Sequence, residues 1–196
     1  MTPFARIAAW IAHPDPRVAA CNRIALIVAS NQPFYPLFVA GLVGGDAQAA
    51  CWTWLSTPFF LAVPTLARRH AIGGRLLLVL AGIANTLIST KAFGTASAVE
   101  WFLLPCGLIA LLAFRRSEVR WSLPLLALAL ASLLLHGHYG TPWGRFSPAE
   151  QMHFANLNRW SVVTLSLFVL WQLGNAIRLA ARSAASTHRP PLPQTR

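Results

Sequence analysis

Few residues in this chain can do chemistry, and most of them gather in one zone. Asn31, Gln32 and Tyr35 come first, then Asn85, Ser89 and Lys91, then Glu100 and Trp101, then His136 and finally Asn156 or its near neighbour Asn158. Amides, a phenol, a hydroxyl, one ammonium, one carboxylate and an indole are the groups that hold an amphipathic molecule by its polar end. Lys91 and Glu100 can form an ion pair across a short turn. They can also act separately: Glu100 as the acid of a capping box opened by Ser97, and Lys91 by reaching its ammonium to headgroups. His136, His138 and His153 share the same side and could surround a metal or supply a base beside Lys91, but their spacing matches no metal motif. A haem pair needs histidines on facing helices at matching depth, and His136 alone falls within an apolar stretch. No cofactor and no metal are expected. The chain has five acids and lacks a Gly-rich phosphate loop, a zinc-protease helix, a Gly-x-Ser-x-Gly elbow or a paired carboxylate. An enzyme is the less favoured class on that ground.

Six apolar stretches must position these residues: Ile24–Val43, Ala47–Ala67, Gly74–Thr90, Ala98–Phe114, Trp121–His136 and Trp160–Leu179. Each is close to the roughly 17–25 residues that cross hydrocarbon as a helix. The sequence therefore predicts an all-α polytopic membrane protein, a six-transmembrane-helix bundle. Thirteen of the sixteen Lys and Arg residues fall in alternate connections and at the two ends, leaving Lys91, Arg145 and Arg159 on the other side. Cationic loops stay in the cytoplasm, so both termini are predicted to be cytoplasmic, in a bacterial inner membrane. In these spans the candidate residues occupy the outer half or the outer interface, where Trp54 also sits, and no acid lies at mid-membrane. A proton-coupled transporter would ordinarily place one there. The net charge of +11 would suggest nucleic acid in a soluble protein. Placed beside apolar spans, it fits anionic lipid of the inner leaflet and excludes nucleic acid as the expected partner. Cys21, Cys51 and Cys106 lie at different depths, which argues against a disulfide framework or a thiolate zinc site.

Residues 1–20 read as an N-terminal interfacial helix, with Phe4, Ile7, Ala8 and Ile11 at helical spacing before Pro14 and Pro16. No cleavable leader is expected there. Residues 21–186 form the six-helix domain. Pro33 and Pro36 remove backbone donors from the first span, so a kink or local unwinding is expected. Gly82, Asn85 and Ser89 make one small, polar stripe on the third span, suited to close helix contact. Gly94 is placed as a helix stop, and Ser147-Pro148-Ala149-Glu150 as a second capping box. The last helix is expected to run from near Pro148 to about residue 185. Residues 187–196 are expected to be a disordered, Pro-rich cytoplasmic tail.

From Asn85 to Cys106, and on through Phe114-Arg115-Arg116-Ser117-Glu118, the chain resembles the third-to-fourth helix hairpin of bacterial six-transmembrane-helix sensor regions. Those regions precede cyclase or histidine-kinase output domains. The shared features are Asn85, the Phe93–Ser97 turn, the inner Phe114–Glu118 end and, loosely, Asn156 or Asn158. The resemblance implies an outward ligand pocket and signalling through the last helix. Only Arg182 and the Pro-rich tail follow that helix here, so a separate cytoplasmic or membrane partner would have to read it.

The leading expectation is thus a receptor-like or accessory membrane module that binds a small amphipathic ligand or lipid in an outward-facing pocket. Polar residues that merely bond helix to helix would leave the same sequence pattern. A small transporter or channel is one alternative, and a membrane-embedded enzyme acting on lipid or quinone through His136 or His138 is another.

Overall fold

A computed structural model describes residues 2–187, with side chains through residue 183. The Pro-rich tail, with Arg189 and Arg196, lies outside the described residues. All regular structure among the described residues is helical. Helix α1 (Pro3–Ile11) is capped by Thr2 and buries none of its residues. Helix α2 (Pro16–Asn31) starts on an Asp15 cap. It passes without a break into a tight 3-10 turn at Gln32–Phe34, a short helix α3 (Tyr35–Phe38) and a widened π-turn at Val39–Val43. The cause is local: Pro33 and Pro36 lack the amides that would close the α-helical ladder. Gly44 and Gly45, both at positive φ, then reverse the chain.

Ala47–Ser56 is 3-10 helix, and α4 (Thr57–Arg69) continues from it. The hydroxyls of Thr53 and Ser56 bond the carbonyls three residues back, which suits the tighter turn. Helix α5 (Ala71–Phe93) ends on Gly94 at φ 82. Short 3-10 turns lead into α6 (Leu103–Leu112), another at Arg116–Glu118 leads into α7 (Val119–Leu134), and α8 (Pro148–Thr187) closes the chain. Ser147 and Glu150 cap α8 reciprocally, backbone N–H to side-chain oxygen in both directions. Its 40 residues extend about 60 Å at 1.5 Å per residue.

Among the described residues, four stretches are long and apolar enough to cross a membrane: Pro16–Val43, Ala71–Phe93, Arg116–Leu134 and Pro148–Ser183. The other two apolar stretches of the sequence, 47–67 and 98–114, are not single long α-helices. The first divides at Ser56, and the second becomes Val99–Phe102 plus α6, an apolar helix below spanning length. A 3-10 turn advances about 2.0 Å per residue, so Ala47–Arg69 reaches roughly 40 Å and Val99–Leu112 roughly 23 Å.

The bundle has two ends of opposite character. Trp10 bonds Thr65 and Arg68 bonds the Ala9 carbonyl, while Arg17 bonds the Phe114 carbonyl. At this arginine-rich end Arg75, 2% exposed, forks onto Glu118 at 2.7 and 2.8 Å and also bonds the Ala113 carbonyl. Arg115 pairs with Asp15 at 2.7 Å. Burial raises the Asp15 pKa, but the Arg17 N–H bond and the Arg115 guanidinium outweigh it and hold the carboxyl below its ordinary value. The main core, including Ile24, Phe60, Val63, Leu78, Ile109 and Leu173, fills the bundle. A smaller aromatic core, Phe93 against Phe154 with ring centroids 4.7 Å apart, closes the opposite end.

Candidate functional site

Gln32 lies where the first spanning stretch loosens, and the broken ladder decides its surroundings. Its carbonyl would meet residue 36 in an α-helix, but Pro36 has no N–H. The Tyr35 N–H takes that carbonyl in the 3-10 turn, and the Trp54 indole donates to it as well, at 3.0 Å. The Gln32 side chain is buried, with its amide nitrogen 2.5 Å from Ser56 Oγ and 3.4 Å from Asn85 Oδ1, and its carbonyl oxygen accepts from Thr57 at 2.6 Å. Ser56 Oγ stands 2.7 Å from Asn85 Oδ1 and 2.9 Å from the Thr53 carbonyl. Its single proton serves one acceptor at a time. A hydroxyl rotation therefore switches the bond between α5 and the 3-10 segment.

A second cluster joins three other elements. Tyr35 donates its hydroxyl to Asn158 Oδ1 at 2.8 Å, and Asn158 Nδ2 donates to the Ser97 carbonyl at 2.8 Å. Asn158 is fully buried. Its neighbour Asn156 is exposed, so of the two asparagines weighed from sequence it is Asn158 that makes the contact. Two residues apart on one helix, they point to nearly opposite faces, because successive residues are turned by about 100°.

Lys91 and Glu100 do not pair. Lys91 Nζ donates to the carbonyls of Tyr139 and Thr141 at 3.1 and 2.8 Å. The loop after α7 also donates Trp143 N–H and Gly144 N–H to carbonyls in the last turn of α5, those of Lys91 and Ala92. Glu100 does not cap Ser97. Ala98 takes a left-handed backbone, φ 58, and turns the carboxylate onto His136, Oε1 to Nδ1 at 2.5 Å. The Glu100 side chain is 3% exposed and that of His136 64%. Glu100 Oε2 and Ser89 Oγ are buried without a hydrogen-bond partner. Tyr139 has its hydroxyl pKa raised, first by burial and then by the negative charge of Glu100.

The ten residues singled out from sequence thus divide among separate contacts. Gln32 meets Asn85, Tyr35 meets α8, Lys91 holds the loop, and Glu100 meets His136. Ser89 is buried alone, while Asn31, Trp101 and Asn156 face outward. The open groove at this end, about 520 Å³, is lined by Asp46, Gln48, Cys51, Trp52, Leu55 and Trp143. Trp52 and Trp143 meet at 5.0 Å between ring centroids. Trp52 and an acid beside Gly44 and Gly45 are visible in the sequence, but the approach of Trp143 depends on the loop path that Lys91 fixes. No group of three His, Cys, Asp or Glu side chains among the described residues is placed to hold a metal.

No family model, curated protein or solved structure matches this chain.

Proposed function

We propose that the protein is a receptor-like or accessory module of the bacterial inner membrane, crossing it six times with both termini in the cytoplasm. The four long apolar helices support a membrane protein, and the reach of Ala47–Arg69 supports a fifth crossing. The shorter Val99–Leu112 crosses where its flanking Arg115 and Arg116 draw headgroups inward. The ligand is a small amphipathic molecule with a cationic end, which rests on the Trp52 and Trp143 faces beside Asp46.

One observation carries the signalling part: Asn158, buried on α8, is bonded both to Tyr35 in the loosened first span and to the Ser97 turn. Those two contacts tie the groove's end of the bundle to a helix that continues to the opposite end. A movement at the 3-10 segment, which Ser56 shares with Gln32 and Asn85, passes to α8 through Tyr35. A partner at the arginine-rich end then reads the helix.

Dodecyltrimethylammonium serves as the probe. It should quench tryptophan emission of the reconstituted protein and shift a spin label placed at Ala181. Trp52→Ala should abolish both signals, and Asn158→Leu should keep the quench and lose the shift. Quenching that survives Trp52→Ala, or a label shift that survives Asn158→Leu, refutes the reading.

A second reading has one specific support. The Glu100–His136 contact places an exposed imidazole on a buried carboxylate, the arrangement that orients a general base. It predicts turnover of a membrane lipid or quinone that His136→Ala removes with expression intact. An unchanged lipid and quinone profile in that variant would dismiss it.

A further inference from the structure

The arginines of the arginine-rich end differ in what holds them. Arg75 and Arg115 are neutralised by Glu118 and Asp15. Arg23 and Arg178 are instead held by neutral amides: Arg23 Nε donates to Gln172 Oε1 at 2.7 Å, and Arg178 Nη2 donates to Asn175 Oδ1 at 2.6 Å. An amide fixes the position of a guanidinium without cancelling its charge. Arg182 lies one helical turn beyond Arg178, a like-charge spacing that disfavours the helix unless an anion sits between the two. Together these side chains line a groove of about 620 Å³ between α2 and α8.

Among the described residues, no acidic side chain serves there. Asp15 and Glu118 are already engaged, and Glu100 and Glu150 are at the opposite end with His136 and Ser147. Asp46 lines the other groove. No acid lines this one, and among the described residues none pairs with Arg23, Arg178 or Arg182. The groove is also apolar along one wall, with Trp171 and Leu179 59% and 53% exposed. Guanidinium forks match phosphoryl oxygens in geometry and charge. An indole beside them suits the boundary between headgroup and acyl chain.

We propose that this groove binds the phosphate of an anionic membrane lipid, its oxygens held by Arg23, Arg178 and Arg182 and its chain laid along Trp171 and Leu179. The proposal does not use the groove at the other end, so either can fail alone.

The test is native mass spectrometry of the full chain titrated with phosphatidylglycerol, phosphatidylcholine and inorganic phosphate. Phosphatidylglycerol should bind at least about tenfold more tightly than the zwitterionic lipid, and Arg178→Gln with Arg182→Gln should cost at least about tenfold of that affinity. Arg69→Gln with Arg116→Gln removes the same charge from the same end, outside the groove, and should cost less than about threefold. Arg23→Gln is an independent third variant and should weaken phosphatidylglycerol as the α8 pair does. Equal losses in the groove and control pairs would reduce the effect to bulk charge and overturn the site. Equal affinity for phosphatidylcholine would overturn it too. Inorganic phosphate that displaces phosphatidylglycerol at similar concentration would make the ligand a free phosphate and overturn the lipid assignment.

Discussion

Replacing Glu118 with Gln tests what holds the arginine-rich end together. The substitution keeps the shape of the side chain and removes the charge opposite Arg75, whose guanidinium is 2% exposed. Two charge-assisted bonds at 2.7 and 2.8 Å are weakened. The Ala113 and Ala71 carbonyls and the Phe114 ring, 5.0 Å from the guanidinium carbon, remain. Leaving a buried charge without its partner costs about 3–5 kcal/mol. Glu118 itself is 16% exposed, so water reaches the site, and the neutral partners soften the loss. We therefore expect about 3 kcal/mol, a shift of more than about a hundredfold in the unfolding equilibrium. The measurement is reversible unfolding in mixed micelles of dodecyl sulfate and a mild detergent, followed by far-UV circular dichroism. Removing both partners, with Arg75→Met added to Glu118→Gln, should cost less than Glu118→Gln alone, because no orphan cation stays behind. Arg69→Gln, at an exposed position, should change stability by less than about 0.5 kcal/mol. A Glu118→Gln variant as stable as the Arg69→Gln control would refute the claim that the fork organises this end.

Tyr35→Phe leaves the buried Asn158 Oδ1 without its donor and should destabilise by about 1–2 kcal/mol in the same assay; no change would mean the bond is not made. Gly94→Ala forces a side chain onto φ 82, with its Cβ only 2.7 Å from Pro142 Cγ, and should cost about 2 kcal/mol or more; a wild-type melting curve would contradict the turn. Asp15 has its folded pKa below the unfolded value of about 3.9, so its contribution is complete above that pH and fades as the pH falls through the lowered value. Asp15→Asn should flatten that part of the acid limb of melting temperature against pH, and an identical acid limb would count against the Arg115 pair. Cys51 is exposed, whereas Cys21 and Cys106 are buried. With cytoplasmic termini, an impermeant maleimide applied to spheroplasts should label Cys51 alone, and labelling only after lysis would invert the topology.

Some of this architecture could be read directly from residue types. Gly94 stops α5 and Pro148 opens α8 because a missing Cβ and a missing N–H act locally, whatever packs around them. The loosened first span has the same local cause at Pro33 and Pro36. Apolar composition carried less: a run such as Ala47–Ala67 reads alike as 3-10 or α-helix, since length and hydropathy do not encode the rise per residue. The partners of the polar residues were the least legible. Asn31 and Gln32 are adjacent, and so nearly are Asn156 and Asn158, yet one member of each pair is buried and the other exposed. That choice depends on helix phase and crossing geometry. The bond from Glu100 to His136 likewise depends on the backbone of Ala98, an alanine that nothing in the sequence marks as left-handed.

In the proposed topology, Arg75 and Arg115 serve the chain at two different times. During insertion, before any packing, they count in full toward orientation, because nearby Asp and Glu contribute little to it. After folding, Glu118 and Asp15 quench both charges. Asp15 and Glu118 can therefore steady the finished bundle without having confused its threading, and a variant that moved either acid away would be assembled the right way round and fail only afterwards.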